Sequence, residues 1–212
     1  MFNKDKCYKD LQLFIKENGK EKIFSKNNII FQVNENVNFV YLLEVGWAKI
    51  SQEDENGQGN ILSIRRQGDI FGLSEVLAKA NQRQRTAYSL TKGIVYAMPA
   101  ELLLKYAAEN PEVWHSLSSI MASRLLETQN FVKILTSKPV PQRLAWILLE
   151  FAEYKEGIAS TNLPLTHEEL SFIIGCSRQK VTTFLNSWRK SGLIDYQRGN
   201  IIILEPEKLY IE

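Results

Sequence analysis

Leu165-Thr166-His167-Glu168-Glu169-Leu170-Ser171-Phe172-Ile173-Ile174-Gly175-Cys176-Ser177-Arg178-Gln179-Lys180-Val181 reads as two helices joined by a tight turn. Thr166 and Glu169 form a capping box, with Thr166 as the N-cap and Glu169 reaching back. Leu170, Ile173 and Ile174 give the first helix its apolar side. Gly175-Cys176 ends it, because glycine is free to take the backbone conformation that a tight turn needs. Ser177 caps a second helix that runs to about Lys190, before Gly192. This is the form of a helix-turn-helix. At about 100° per residue the second helix sorts cleanly by face. Val181, Phe184, Leu185 and Trp188 fall on one side. Gln179, Thr182, Thr183, Asn186 and Lys190 fall on the other, with Arg178 at the N-terminal flank and no carboxylate among them. Such a face suits base edges in a DNA major groove. Arg can bind guanine in a bidentate way and Gln can bind adenine, each worth about 1–3 kcal/mol of discrimination. Arg189 and Lys190 are placed for phosphate. Beyond them, Leu193–Gln197, Arg198-Gly199-Asn200 and Ile201–Leu204 read as strand, turn and strand, a wing with Arg198 at its tip. The candidate DNA-binding set is therefore Thr166, Ser177, Arg178, Gln179, Thr182, Thr183, Asn186, Arg189, Lys190 and Arg198.

Upstream, Gln142 to Tyr154 is patterned as an amphipathic helix on Leu144, Ile147, Leu148 and Phe151, and residues 155–164 as a loop. Lys138-Pro139-Val140-Pro141 breaks the chain before it, a natural hinge or domain boundary, since proline removes a backbone donor and disfavours helix before it. From Pro111 to Ser137 a long helix is expected, with a short one from Pro99 to Leu104, proline being tolerated in a first turn. Within the long helix Trp114, Leu117, Met121, Leu125, Thr128, Val132 and Leu135 are spaced three or four apart. This is either a coiled-coil-like seam of about three heptads or a face packed on its own domain. Residues 22–98 alternate as short strands with frequent glycine turns, the pattern of an antiparallel barrel or roll. The polar run from Glu53 to Asn60 reads as a loop between two of those strands.

Composition supports this division of the chain. Its 212 residues are 44% apolar and 24% charged, ample for a buried core. No run reaches the roughly 18 apolar residues of a membrane span. Met1–Cys7 lacks the apolar core of a signal peptide, which places the chain in the cytoplasm. Cys7 and Cys176 are too few for a disulfide framework, a zinc site or an iron–sulfur cluster, so no metal is expected. Net charge is only +2, but residues 177–199 carry five cations against one carboxylate and residues 150–169 five carboxylates against one cation. The second half thus has either one basic and one acidic face or a mixed solvated surface. Clustered histidines, a nucleophile motif and a phosphate-binding loop are all missing, which argues against an enzyme.

In this order the parts resemble the cAMP receptor protein/fumarate-nitrate regulator (Crp/Fnr) family. The resemblance is strongest in Leu165–Leu170, Ile174–Val181 and Ser191–Ile194, and looser in Tyr41–Gly46 and Gln67-Gly68-Asp69-Ile70-Phe71-Gly72. It implies an α+β chain with an N-terminal antiparallel, cyclic-nucleotide-binding-like β-roll (1–110). A dimerisation helix (111–137) follows, with a seam of Trp114, Leu117, Met121, Leu125, Val132 and Leu135, and then a winged helix-turn-helix (138–212). It also implies a homodimer on palindromic double-stranded DNA, RNA polymerase as partner, and a small effector in the roll. The effector set by this resemblance is Gly72, Leu73, Ser74, Arg85, Thr86 and Thr128. Arg85-Thr86 resembles the pair that meets the cyclic phosphate, and Thr128 stands where a helix Thr meets adenine. Leu73, however, stands where cAMP-binding members place the Glu that holds the ribose, and this argues against cAMP. A different small anion on Arg85 and nearby amides, or a pocket with no ligand, are the alternatives. A cyclic-nucleotide-binding regulatory protein acting on a protein partner is the competing function, and the winged helix argues against it.

Overall fold

The computed structural model describes residues 6–53, 59–155, 158–197 and 200–209. Arg198 and most of the polar loop after Glu53 lie outside these residues. The chain forms two compact units, Met1–Glu127 and Thr128–Glu212, which divide within one long helix.

The first unit opens with helix α1 (Lys6–Asn18), then strands β1 (Lys20–Phe24), β2 (Ile29–Phe31), β3 (Phe39–Val45), β4 (Trp47–Glu53), β5 (Gly59–Arg66) and β6 (Ile70–Phe71). A short helix α2 (Leu73–Leu77), strands β7 (Thr86–Ser89) and β8 (Gly93–Pro99), and helix α3 (Ala100–Glu109) follow, leading into α4 (Pro111–Ser137). The strands make two antiparallel sheets, β1-β8-β3-β6 and β2-β7-β4-β5. Alternation along β3 shows why. Tyr41 and Leu43 point between the sheets with Phe31, Ala48, Phe71, Ala87 and Val95. Val40 and Leu42 point the other way, into a core with Leu11 and Ile15 of α1, Leu103 of α3 and Leu117 of α4. A strand buried on both faces has to be apolar at successive positions, as this one is.

Helix α1 lies outside what was expected of residues 1–21, although Leu11 and Ile15 sit one turn apart and are both fully buried. Helix α3 runs past Leu104 to Glu109 because Leu103 and Ala107 continue one buried face. Leu117 leaves the proposed seam, since it is fully buried in its own unit. The exposed row on α4 is Trp114, Ser118, Leu125, Thr128 and Val132, with Met121 and Leu135 half-buried and exposed Leu126 alongside.

The second unit contains α5 (Val140–Glu150), β9 (Glu153–Lys155), β10 (Ile158–Thr161), α6 (His167–Ile174), α7 (Arg178–Lys190), β11 (Ile194–Gln197), β12 (Asn200–Ile203) and α8 (Pro206–Leu209). Pro139 is the N-cap of α5, with Pro141 in its first turn. This helix ends at Glu150, four residues before the expected Tyr154, because the chain turns there into the β9–β10 hairpin. The expected loop at 155–164 thus holds a strand, β10, whose Ala159 and Thr161 are buried opposite Ile203 and Ile201. The wing is part of a four-stranded antiparallel sheet, β11-β12-β10-β9.

Candidate nucleic-acid interface and the sensor segment

Both helices of the 166–190 motif start on capped ends. Thr166 Oγ1 accepts from the Glu169 amide at 3.1 Å and Glu169 Oε2 accepts from the Thr166 amide at 3.0 Å, a closed capping box. Losing such a cap costs about 0.5–2 kcal/mol. Gly175 closes α6 at φ 67°, a left-handed conformation that a side chain would strain. Ser177 caps α7 by accepting from the Lys180 amide. Arg143 of α5 fixes the frame from behind, donating through Nη1 to Ile174 O at 3.1 Å and through Nε to Lys138 O at 2.7 Å. These two bonds serve carbonyls at the C-terminal ends of α6 and α4, which have no intrahelical partner.

The inner face of α7 is Val181, Leu185 and Trp188, all buried, with Phe184 tilted against Trp188 at 6.4 Å. Arg178, Gln179, Thr183, Asn186, Arg189 and Lys190 are exposed on the opposite side, as are the caps Thr166 and Ser177. The structure therefore brings these predicted residues to one surface. Arg189 leans toward β11: its Nε lies 3.9 Å from Asp195 Oδ1 and its guanidinium 5.7 Å from the Tyr196 ring. Both ends of that ion pair are exposed, so it is weak and open to exchange for phosphate. Thr182 is different. It is half-buried, its Oγ1 lies 2.9 Å from His167 Nδ1, and it donates to Arg178 O at 3.1 Å. His167, outside the expected contact set, joins α6 to the reading helix.

The expected effector residues differ in their exposure. Gly72 adopts φ 72° as the N-cap of α2. Leu73 is 2% exposed and its side chain packs into the core with residues of α1, α3 and α4; an apolar side chain at the first position of α2 is drawn inward. Ser74 is exposed, Arg85 is half-buried, and Thr128 is exposed on α4. Thr86 is buried, and its Oγ1 accepts from the Val33 amide at 3.2 Å.

The residue that organises this segment is Arg83, fully buried and not singled out by sequence. Its Nη1 donates to Gly72 O at 2.8 Å and lies 3.4 Å from Glu75 Oε2, while Nη2 donates to Phe39 O. The guanidinium centre is 4.4 Å from the Phe31 ring and 5.8 Å from the Tyr41 ring. A Cβ at Gly72 would stand 3.1 Å from Arg83 Nη1 and 3.2 Å from Tyr41 Cδ2, so the glycine makes room for the cation. Glu75, two residues after Leu73, is turned inward onto Arg83.

A second tie runs from α4 to the turn before Gly72. Arg124 Nη2 donates to Ile70 O at 2.8 Å, and Tyr8 Oη and Gln12 Nε2 of α1 both donate to Gly68 O. Burial, then the like charge of Arg124, holds Arg65 down at about 10. Burial, then Asp69, pushes the Tyr8 phenol up to about 12.

Comparison with known proteins agrees with both halves. A family described as "Crp-like helix-turn-helix domain" matches residues 142–210, and one described as "Cyclic nucleotide-binding domain" matches residues 21–110. The chain belongs to the Crp/Fnr family of transcription regulators. Within that family it is 27% identical over 191 residues to the global nitrogen regulator of Synechococcus elongatus, covering 88% of this chain and 86% of that one. It is also 27% identical over 190 residues to the CRP-like cAMP-activated global transcriptional regulator of Mycobacterium tuberculosis, covering 88% and 84%. Among solved structures, FixK2 of Bradyrhizobium japonicum superposes with a TM-score of 0.82 at 20% identity over 91% of this chain and 96% of that one, which shows the shared fold. No described helix is long and apolar enough to cross a membrane.

Proposed function

We propose that this Crp/Fnr regulator works as a homodimer on palindromic duplex DNA in the cytoplasm. Arg178, Gln179, Thr183 and Asn186 read bases, and Thr166, Ser177, Arg189, Lys190 and Arg198 hold the backbone. The observation that carries this reading is the outer face of α7: hydrogen-bonding and cationic side chains, exposed, without a carboxylate, on a helix held rigidly by its caps and inner face. The working parts are a sensor at 1–110, a dimerisation helix at 111–137 and a DNA-binding domain at 138–212, with half-sites about one helical turn apart. Membership in a family of transcription regulators supports RNA polymerase as a further partner.

For the effector, the relatives' names differ, one nitrogen and one cAMP, so neither transfers. Leu73 in the core and Glu75 on Arg83 both argue against cAMP. The ribose partner's loss would remove a charge-assisted hydrogen bond of about 1.5–3 kcal/mol. Any effector of this sensor is therefore a different small molecule, with half-buried Arg85 its anchor.

Binding of fluorescent duplex across a salt series tests the DNA reading. The slope of log affinity against log salt should be steep and negative. On the duplex it prefers, Arg178→Ala should cost about 1–3 kcal/mol and relax one base position. Lys190→Ala should weaken all sequences alike and reduce the salt slope by about 1. Salt-independent binding, or none in dilute salt, contradicts the proposal.

A further inference from the structure

Resting on the DNA-binding reading, we propose that His167 is a positioning residue for sequence recognition. It holds Thr182 with its hydroxyl turned into the α6–α7 interface, so that the threonine methyl is what the major groove meets, giving a preference for thymine. A threonine hydroxyl has one proton. In Thr182 that proton goes to Arg178 O, at 3.1 Å. With the proton so placed, the geometry points to the 2.9 Å contact with His167 Nδ1 running the other way, from an imidazole N–H to the threonine oxygen. Thr182 is left with no donor for a base.

Its position is nonetheless in the reading row. It lies one turn after Arg178 and one turn before Asn186, neighbours on a helix surface, and both of those are exposed. Thr183, whose hydroxyl also donates to its own helix at Gln179 O, is exposed, so it can turn toward DNA. Thr182 is half-buried and fixed from two helices. With its oxygen held inward, the methyl is the remaining heavy group on Cβ, and a threonine methyl makes an apolar contact with the methyl of thymine.

Selection of bound duplexes from a random pool by the full chain, compared among variants of verified fold by circular dichroism, tests this. Wild type should favour thymine at one position of each half-site. Thr182→Val, which keeps the methyl and loses the hydroxyl, should retain that thymine. Thr182→Ser, which keeps the hydroxyl and loses the methyl, should weaken the preference about fourfold, the factor carried by one methyl in an apolar contact. His167→Ala should weaken it likewise. His167→Asn, whose amide nitrogen stands near the place of Nδ1, should restore it. Nitrogen NMR at alkaline pH should find the proton on Nδ1 of His167. A Thr182→Ser profile identical to wild type, a Thr182→Val profile with a different base, or an unprotonated Nδ1 overturns the inference while leaving DNA recognition standing. A wild type that enriches no sequence removes both.

Discussion

Leu125→Glu is expected to turn the protein into a monomer and to lower its affinity for a palindromic duplex by about 10²–10⁴-fold, the range lost when two linked binding modules act singly. Leu125 is 59% exposed, its neighbour Leu126 65% and Val132 53%, on one helix that also exposes Trp114 at 41%. Trp114, Ser118, Met121, Leu125, Thr128 and Val132 follow alternating steps of four and three along α4. That is the spacing of a helix that buries a stripe against a parallel partner. A carboxylate at the centre of such a stripe faces its own copy across the two-fold axis, because a two-fold interface sets the same patch against itself. Both charges would have to be desolvated or the helices parted. The variant should keep its helical circular dichroism, since position 125 touches solvent in the single chain. Analytical ultracentrifugation reads the state directly. A Leu125→Glu protein that remains a dimer places the interface elsewhere.

Arg83→Met should destabilise the sensor unit by about 3–5 kcal/mol, the cost of removing one partner from a buried ion pair. The variant leaves Glu75 without its cation, and it removes the guanidinium donors to Gly72 O and Phe39 O at a buried position. Adding Glu75→Leu should recover part of that loss, because an apolar pair needs no charge compensation, but the guanidinium bonds to the two carbonyls stay lost. Urea unfolding followed by tryptophan fluorescence measures both. If Arg83→Met costs no more than a surface substitution, under about 0.5 kcal/mol, Arg83 is not the fastener of the 72–86 segment.

The contrast between these two regions explains what sequence could tell. The helix-turn-helix was legible because its determinants are local. Thr166 with Glu169, Gly175, Ser177 and the spacing of Val181, Leu185 and Trp188 all lie within a few residues of what they control. The exposed row on α4 was legible in part. Leu117 and Ser118 flank the same line on α4, and only tertiary packing sends Leu117 into the core with Ile15 and Leu103. The fastening of the sensor was not legible. Arg83 meets Phe39 O from 44 residues away and Gly72 O from 11 residues away, and no pattern in Asn81-Gln82-Arg83-Gln84-Arg85 marks which arginine goes inward. The strand β10 was missed for a similar reason. Ile158–Thr161 is short and carries polar residues, and it becomes a strand because Ile201–Ile203 and Glu153–Lys155 pair with it on its two sides. Thr182 looked like a base reader by its helical angle. Its hydroxyl is claimed by His167, a residue on another helix.

The most direct measurement is the selection of duplexes from a random pool by the unmodified protein, in moderate salt and without added nucleotide, followed by sequencing. A homodimeric winged helix reading DNA through α7 predicts an enriched palindrome whose two halves lie about one helical turn apart. An enriched site with no two-fold symmetry, or no enrichment with or without cAMP, would contradict it.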